Sequence, residues 1–226
     1  MRLLERLSNG EFSLTENLFK EIPVYAILSY TWGNDDQEIR FCGEQAARDG
    51  LGYFWIDTCC IDKSDNNELQ EAINSMFRWY CEAARCYVYL SDVSINERIE
   101  NKGARLGDKK SLEKQLGKIT GVPIDALRGN GLSSFSVEDR ISWADNRQTK
   151  REEDMAYSLM GIFEIHIPLI YGEGEENAFT RLSDAIEKSS NNTHRLHRTK
   201  DQTNRPRVRN NNQVKGMEIQ GTLQAG

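Results

Sequence analysis

The chain has 226 residues, 38% hydrophobic and 28% charged, with a formal net charge of −6. That length suits one domain with extensions, or at most two small ones, and the composition suits a globular protein with a core. No apolar run approaches the roughly 18 residues that a membrane-spanning helix needs. Glu5 and Arg6 interrupt the opening MRLLERLSNGEF, so a secretory signal is not expected and the cytoplasm is the expected compartment.

Charge is unevenly spread. Seven Lys or Arg against two acids, Asp201 and Glu218, fall between Ser189 and Gly226, which leaves residues 1–188 with −11. An acidic body does not suit a nucleic-acid binder, and the basic stretch reads as a solvated tail. Five cysteines, Cys42, Cys59, Cys60, Cys81 and Cys86, include no CxxC pair. The odd count argues against a disulfide framework, and the spacings against a zinc site, so packed thiols and no metal are expected.

In chain order, the first strand is expected at Val24–Tyr30, apolar enough to be covered on both faces. A loop from Thr31 to Asp36 and a short helical patch, Gly43–Arg48, follow. The second strand is expected at Tyr53–Asp57. From Glu68 to Ala84, apolar residues at Leu69, Ile73, Met76, Phe77, Tyr80 and Ala84 form one helical stripe, with Asp65 and Glu68 resembling a capping box. The third strand is Cys86–Leu90. This β-α-β-α-β alternation implies right-handed crossovers and a parallel sheet.

Residues 94–110 lose periodicity and read as an irregular connection. Helices are expected at Leu112–Ile119, from Gly121 to Leu127, after a Ser136–Asp139 cap, after a Thr149–Glu152 capping box, and over Glu176–Lys188. Gly161, inside one of them, points to a close packing contact. His166 reads as half-buried, and residues 189–226 as too polar to order. The expected organisation is therefore a core at 1–93, a connection at 94–110, a helical extension at 111–188 and a disordered tail at 189–226.

No GxGxxG, Walker A, HExxH or GxSxG motif is present, so no catalytic residue follows from local motifs. What remains is the rim beyond the carboxyl ends of the parallel strands, where such sheets bind ligands. Its candidates are Ser29, Trp32, Gly33, Asp35, Asp57 and Asp62. Asp57 could contact a ribose or orient a base; the favoured alternative is that it serves its own loop. Asp62 and Asp65 read as loop and cap residues, and Trp32 with Gly33 as either a stacking ledge or rim packing. The charge-dense run Thr149–Glu153 reads as a solvated helix start, and the glycines of Tyr171–Gly174 as turn formers.

Ala26-Ile-Leu-Ser-Tyr-Thr-Trp-Gly33 and Phe54-Trp-Ile-Asp-Thr-Cys-Cys-Ile-Asp-Lys63 resemble the first two motifs of the HET domain of fungal heterokaryon-incompatibility proteins. The runs Glu71–Tyr80, Cys86–Asp92, Ser142–Phe163 and Pro168–Gly174 continue the likeness, which covers most of residues 1–190. The resemblance implies vegetative incompatibility, in which a non-self signal triggers programmed cell death. It also implies an α/β fold with a TIR-like or flavodoxin-like parallel sheet, incomplete here and followed by a mainly helical region.

Two departures stand out. The first crossover is short, and the family's Arg-Gly-Trp-Thr-Leu-Gln-Glu-Leu-like segment after the third strand is missing. That segment is similar to the helix that carries the catalytic glutamate in NAD-cleaving TIR domains. Glu97 and Glu100 lie nearby but match no motif, so no catalytic role is carried to them. The expectation is a signalling module acting through protein partners or self-association, with no cofactor. The alternatives are a TIR-like NAD glycohydrolase, with NAD as substrate, and a truncated, non-functional fragment.

Overall fold

The computed structural model describes residues 1–30, 35–90, 105–145, 147–199 and 217–221. It divides into two compact units: residues 1–72, 79–116 and 213–226, and residues 73–78 with 117–212.

The first unit is built on a mixed sheet. Its strands are β1 (Leu4–Arg6), β2 (Phe12–Leu14), β3 (Tyr25–Tyr30), β4 (Tyr53–Trp55), β5 (Arg85–Leu90), β6 (Arg105–Asp108) and β7 (Met217–Gly221), in the order β2-β1-β4-β3-β5-β7-β6. Strand β3 pairs in parallel with β4, from Tyr25↔Tyr53 to Ile27↔Trp55, and with β5, from Ala26↔Arg85 to Tyr30↔Tyr89. The three strands read from the sequence therefore lie in the order 2-1-3, as in flavodoxin-type sheets. The α/β class is as expected.

Helix α1 (Asp35–Arg48) makes the first crossover and α3 (Asn66–Glu82) the second. The core gathers Leu3, Ile27, Leu28, Phe54, Trp55, Ile56 and Tyr87, each at most 1% exposed. The Trp55 ring meets Trp79 and Tyr80 edge-on, at 5.6 and 6.2 Å between centroids, an arrangement that adds to the burial of the rings themselves. The buried Tyr25 hydroxyl donates to the Trp79 carbonyl at 2.7 Å.

Several local expectations are corrected. Helix α1 begins eight residues before Gly43, because its polar first turn hides the buried face formed by Glu38, Cys42 and Ala46. Strand β4 stops at Trp55, and Asp57–Cys60 turns into the short helix α2. Asp65 does cap α3, accepting from Asn67 N at 2.8 Å and Glu68 N at 3.3 Å. Glu68, however, accepts from Asp62 N at 2.9 Å and pairs with Arg2 at 2.5 Å.

The irregular connection contains β6, and the tail contains β7, which pairs with β5 and β6. Both were hidden by their polar surroundings, and both are held by backbone hydrogen bonds that composition does not report. The antiparallel β1–β2 hairpin, with Leu4↔Leu14, was also missed, its strands being only three residues each.

The second unit is helical. It contains α5 (Ile124–Leu127), a 3-10 turn at Leu132–Ser134, α6 (Val137–Ser142), α7 (Asp154–Phe163) and α8 (Glu175–Thr199); α4 (Glu113–Thr120) straddles the division at residue 116. Ser136 and Asp139 form a capping box on α6, as expected. The box expected at Thr149–Glu152 is absent: Thr149 Oγ1 donates to Arg151 O at 2.8 Å, and α7 starts later, at Asp154. Helix α8 runs on to Thr199, well past the expected Lys188. His166 is exposed, between the buried Ile165 and Ile167.

The core of this unit joins Ala156, Leu159, Met160 and Phe163 of α7 to Ala178 and Leu182 of α8. Gly161 packs against Phe77, and a Cβ added at 161 would lie 2.4 Å from the Phe77 Cβ. That is backbone-proximal atom against backbone-proximal atom, so a rotamer change cannot relieve it. Gly161→Ala should therefore lower stability by about 1–3 kcal/mol, read as a fall in the midpoint of urea unfolding. A midpoint equal to that of the wild type would refute the close contact.

Candidate functional site

The rim lies beyond the carboxyl ends of β3 and β4. Ser29 and Tyr30 end β3, and Asp57 opens α2 directly after β4. The Tyr30 hydroxyl donates to Asp57 Oδ1 at 2.9 Å and also lies within hydrogen-bond distance of Thr58 Oγ1, at 3.0 Å. Lys63 Nζ lies 3.7 Å from Asp57 Oδ2. Both carboxylate oxygens of Asp57 are thus engaged within the chain. Burial pushes the Tyr30 phenol well above its usual range, and the charges of Asp57 and Glu38 add to that.

Ser29 is engaged too. Its hydroxyl bonds to Tyr80, whose own hydroxyl donates to Leu28 O at 3.0 Å. Asp62 is exposed and accepts from the Ser64 N–H at 2.9 Å and the Ser64 hydroxyl at 2.6 Å. Those bonds hold its carboxyl below the usual range, as in a local Asx turn. Asp35 opens α1. Trp32, Gly33, Ser91, Asp92, Glu97 and Glu100 lie outside the described residues. The structure therefore brings Ser29, Asp57 and Tyr30 together at one sheet end and sets Asp62 apart in its own turn.

Sequence reasoning missed Glu38, which is 3% exposed on α1 and acts electrostatically on Tyr30. Its one signal is spacing: Glu38 stands four residues before Cys42 and eight before Ala46, but its charge interrupts the apolar stripe that would mark that face. Beside it, the Phe41 and Tyr89 rings meet at 5.0 Å. The Cys42, Cys60 and Cys86 thiols nearby are buried in the folded chain. Burial pushes Cys42 well up and Cys60 and Cys86 to about 12. Among the described residues no group of His, Cys, Asp and Glu is arranged to hold a metal ion.

A second polar cluster lies in the helical unit. Glu153, read as solvated, is 6% exposed, and its Oε1 accepts from Gly172 N at 2.7 Å and Gly174 N at 3.1 Å. Both glycines have positive φ, +93° and +81°, which lets the turn aim two N–H groups at one oxygen. Alongside it, Arg181 pairs with Glu173, donates to Pro168 O at 2.9 Å and reaches the Tyr157 hydroxyl at 3.2 Å. This network fastens the Tyr171–Gly174 turn to α7 and α8.

Two measurements follow. The backbone N–H groups hold the Glu153 carboxyl below its usual range, so its contribution to stability is present above the unfolded value of about 4.3 and is lost as pH falls through the folded one. Glu153→Gln should destabilise the protein at pH 7, and its unfolding midpoint should approach that of the wild type as the pH is lowered through that window. A gap independent of pH would refute the assignment. Tyr30→Phe should cost about 1 kcal/mol of stability, read by urea unfolding at pH 7; no change would show that the bond to Asp57 contributes nothing.

Against known proteins, residues 37–157 match the family model described as "Heterokaryon incompatibility protein (HET)". The chain is similar to "Vegetative incompatibility protein HET-E-1" of Podospora anserina, with 47% identity over 243 residues, covering 83% of this chain and 18% of the relative. It thus spans less than a fifth of that relative's length. The alignment takes in about 188 residues of this chain, so about 55 of its 243 positions have no counterpart here. No solved structure matches. The family match spans more than half of the sequence, from the first turn of α1 into α7, and the chain belongs to the heterokaryon incompatibility (HET) protein family.

Proposed function

We propose that the chain is a signalling module of the heterokaryon (vegetative) incompatibility type. In this reading it works in the fungal cytoplasm, responds to a non-self signal through protein partners or self-association, and leads to programmed cell death. The observation that carries the proposal is the 47% identity to a vegetative incompatibility protein over 83% of this chain. The rim supports a non-enzymatic mode, because the Asp57 carboxylate is committed to Tyr30 and Lys63. The acidic body supports protein rather than nucleic-acid partners. No described helix is long and apolar enough to cross a membrane.

A second reading, a TIR-like NAD glycohydrolase, is favoured by one observation. Glu38 is an acid buried beside Tyr30 near the carboxyl ends of the parallel strands, where sheets of this kind bind ligands. A truncated, non-functional fragment is the third reading, supported by the alignment positions without a counterpart here.

Induced expression in a filamentous fungus separates them. The module predicts at least a tenfold fall in viable cells with cellular NAD unchanged, and loss of that fall in Gly161→Ala if the variant is destabilised. A drop in NAD that precedes death, and that Glu38→Gln abolishes, would favour the glycohydrolase. Full viability, together with a broad, non-cooperative melt of the purified chain, would favour the fragment.

A further inference from the structure

Strand β7 comes from far along the chain yet lies inside the sheet. It pairs in parallel with β5 from Cys86↔Met217 to Leu90↔Gly221, and antiparallel with β6 from Arg105↔Gln220 to Asp108↔Glu218. Residues 109–216 separate it in sequence from both neighbours. Its sequence, Met-Glu-Ile-Gln-Gly, offers only two large apolar residues. Five residues with so little apolar content offer little hydrophobic burial to hold a strand, which places it toward the low end of the opening free energies found within a fold. When it leaves, the outer edge of β5 is unpaired and β6 keeps no described strand neighbour, so the edge of β5 is a template for another strand.

A second copy carries the identical strand and remakes the identical hydrogen bonds, so no new complementarity is needed. Residues 200–216 precede β7; seventeen residues span up to about 60 Å when extended. We propose that the outer edge of β5 is a strand-accepting site, covered in cis by β7, and that copies of the chain assemble by exchanging β7 reciprocally. This rests on the reading of the chain as an assembly module and names its surface. Closure in cis acts at an effective concentration on the order of millimolar. Exchange therefore begins only when copies are crowded together, for example on a shared partner.

Cys86 and Met217 are register partners in the β5–β7 pairing, which supplies the test. A donor chain with Cys86→Ser and Met217→Cys is mixed with the wild-type chain, oxidised, and analysed by non-reducing electrophoresis and mass spectrometry. The expected product is a covalent dimer joined between Cys86 and the thiol introduced at 217, at least tenfold more abundant at millimolar than at micromolar concentration. Met217→Cys alone should close within one chain and, once oxidised, remain monomeric by light scattering. Should Cys86→Ser fail to fold, an Ile219→Cys donor and a Val88→Cys acceptor probe the same register.

Absence of the mixed dimer, or of the intrachain bond, overturns strand exchange. If exchange is absent while the wild-type chain still self-associates and kills cells, the assembly reading stands and only its surface is lost. If the chain neither exchanges nor self-associates, both fall.

Discussion

Strand β3 is enclosed on both faces and paired on both edges, and Tyr25 to Leu28 are each at most 3% exposed. A strand in that position cannot satisfy its N–H and C=O groups with water, so it requires β4 and β5 in fixed register. Each of those then has an outer edge with the same need. Strand β1 covers the edge of β4 and β7 covers the edge of β5. The sheet thus grows outward from its most buried strand. The two α-helical crossovers follow from the parallel pairing at its centre, because parallel neighbours cannot be joined by a tight turn.

The same geometry explains the state of the rim. Tyr30 and Asp57 emerge at the ends of neighbouring strands in a place half withdrawn from water. A phenol and a carboxylate there satisfy each other, with Thr58 and Lys63 completing the group. The candidate site is therefore polar without being idle: its hydrogen-bonding capacity is used to close the sheet end. Glu38 differs in kind, being a buried acid on the helix that begins beyond that end. The cluster around Glu153 is the counterpart in the helical unit, where one carboxylate sets the path of a glycine turn.

What the sequence disclosed follows the range of the forces involved. The central strands and α3 were legible because hydrophobic burial writes itself as continuous runs or a 3.6-residue stripe. The start of α1 was not, since Asp35, Asp36 and Gln37 look like loop and the buried Glu38 breaks the apolar pattern. Glu153 was read as solvated because its partners, Gly172 and Gly174, are some twenty residues away. Strand β7 was invisible for a related reason: its place depends on an unpaired edge of β5, a property of the assembled sheet. Of the rim, Ser29 and Asp57 were legible as strand-end residues, but not that each already has an internal partner.

The position of β7 also bears on how the protein is made. Strand β5 ends at Leu90 and its outer neighbour begins at Met217. At translation rates of about 5–20 residues per second, the intervening chain takes roughly 6–25 s to emerge. During that interval a nascent chain holds the core of its sheet with one flank open, and chains on adjacent ribosomes present the same open flank to one another. The protein's own synthesis is thus the moment of greatest exposure to strand mispairing, and chaperone access in that interval bears directly on how much of it reaches the folded state.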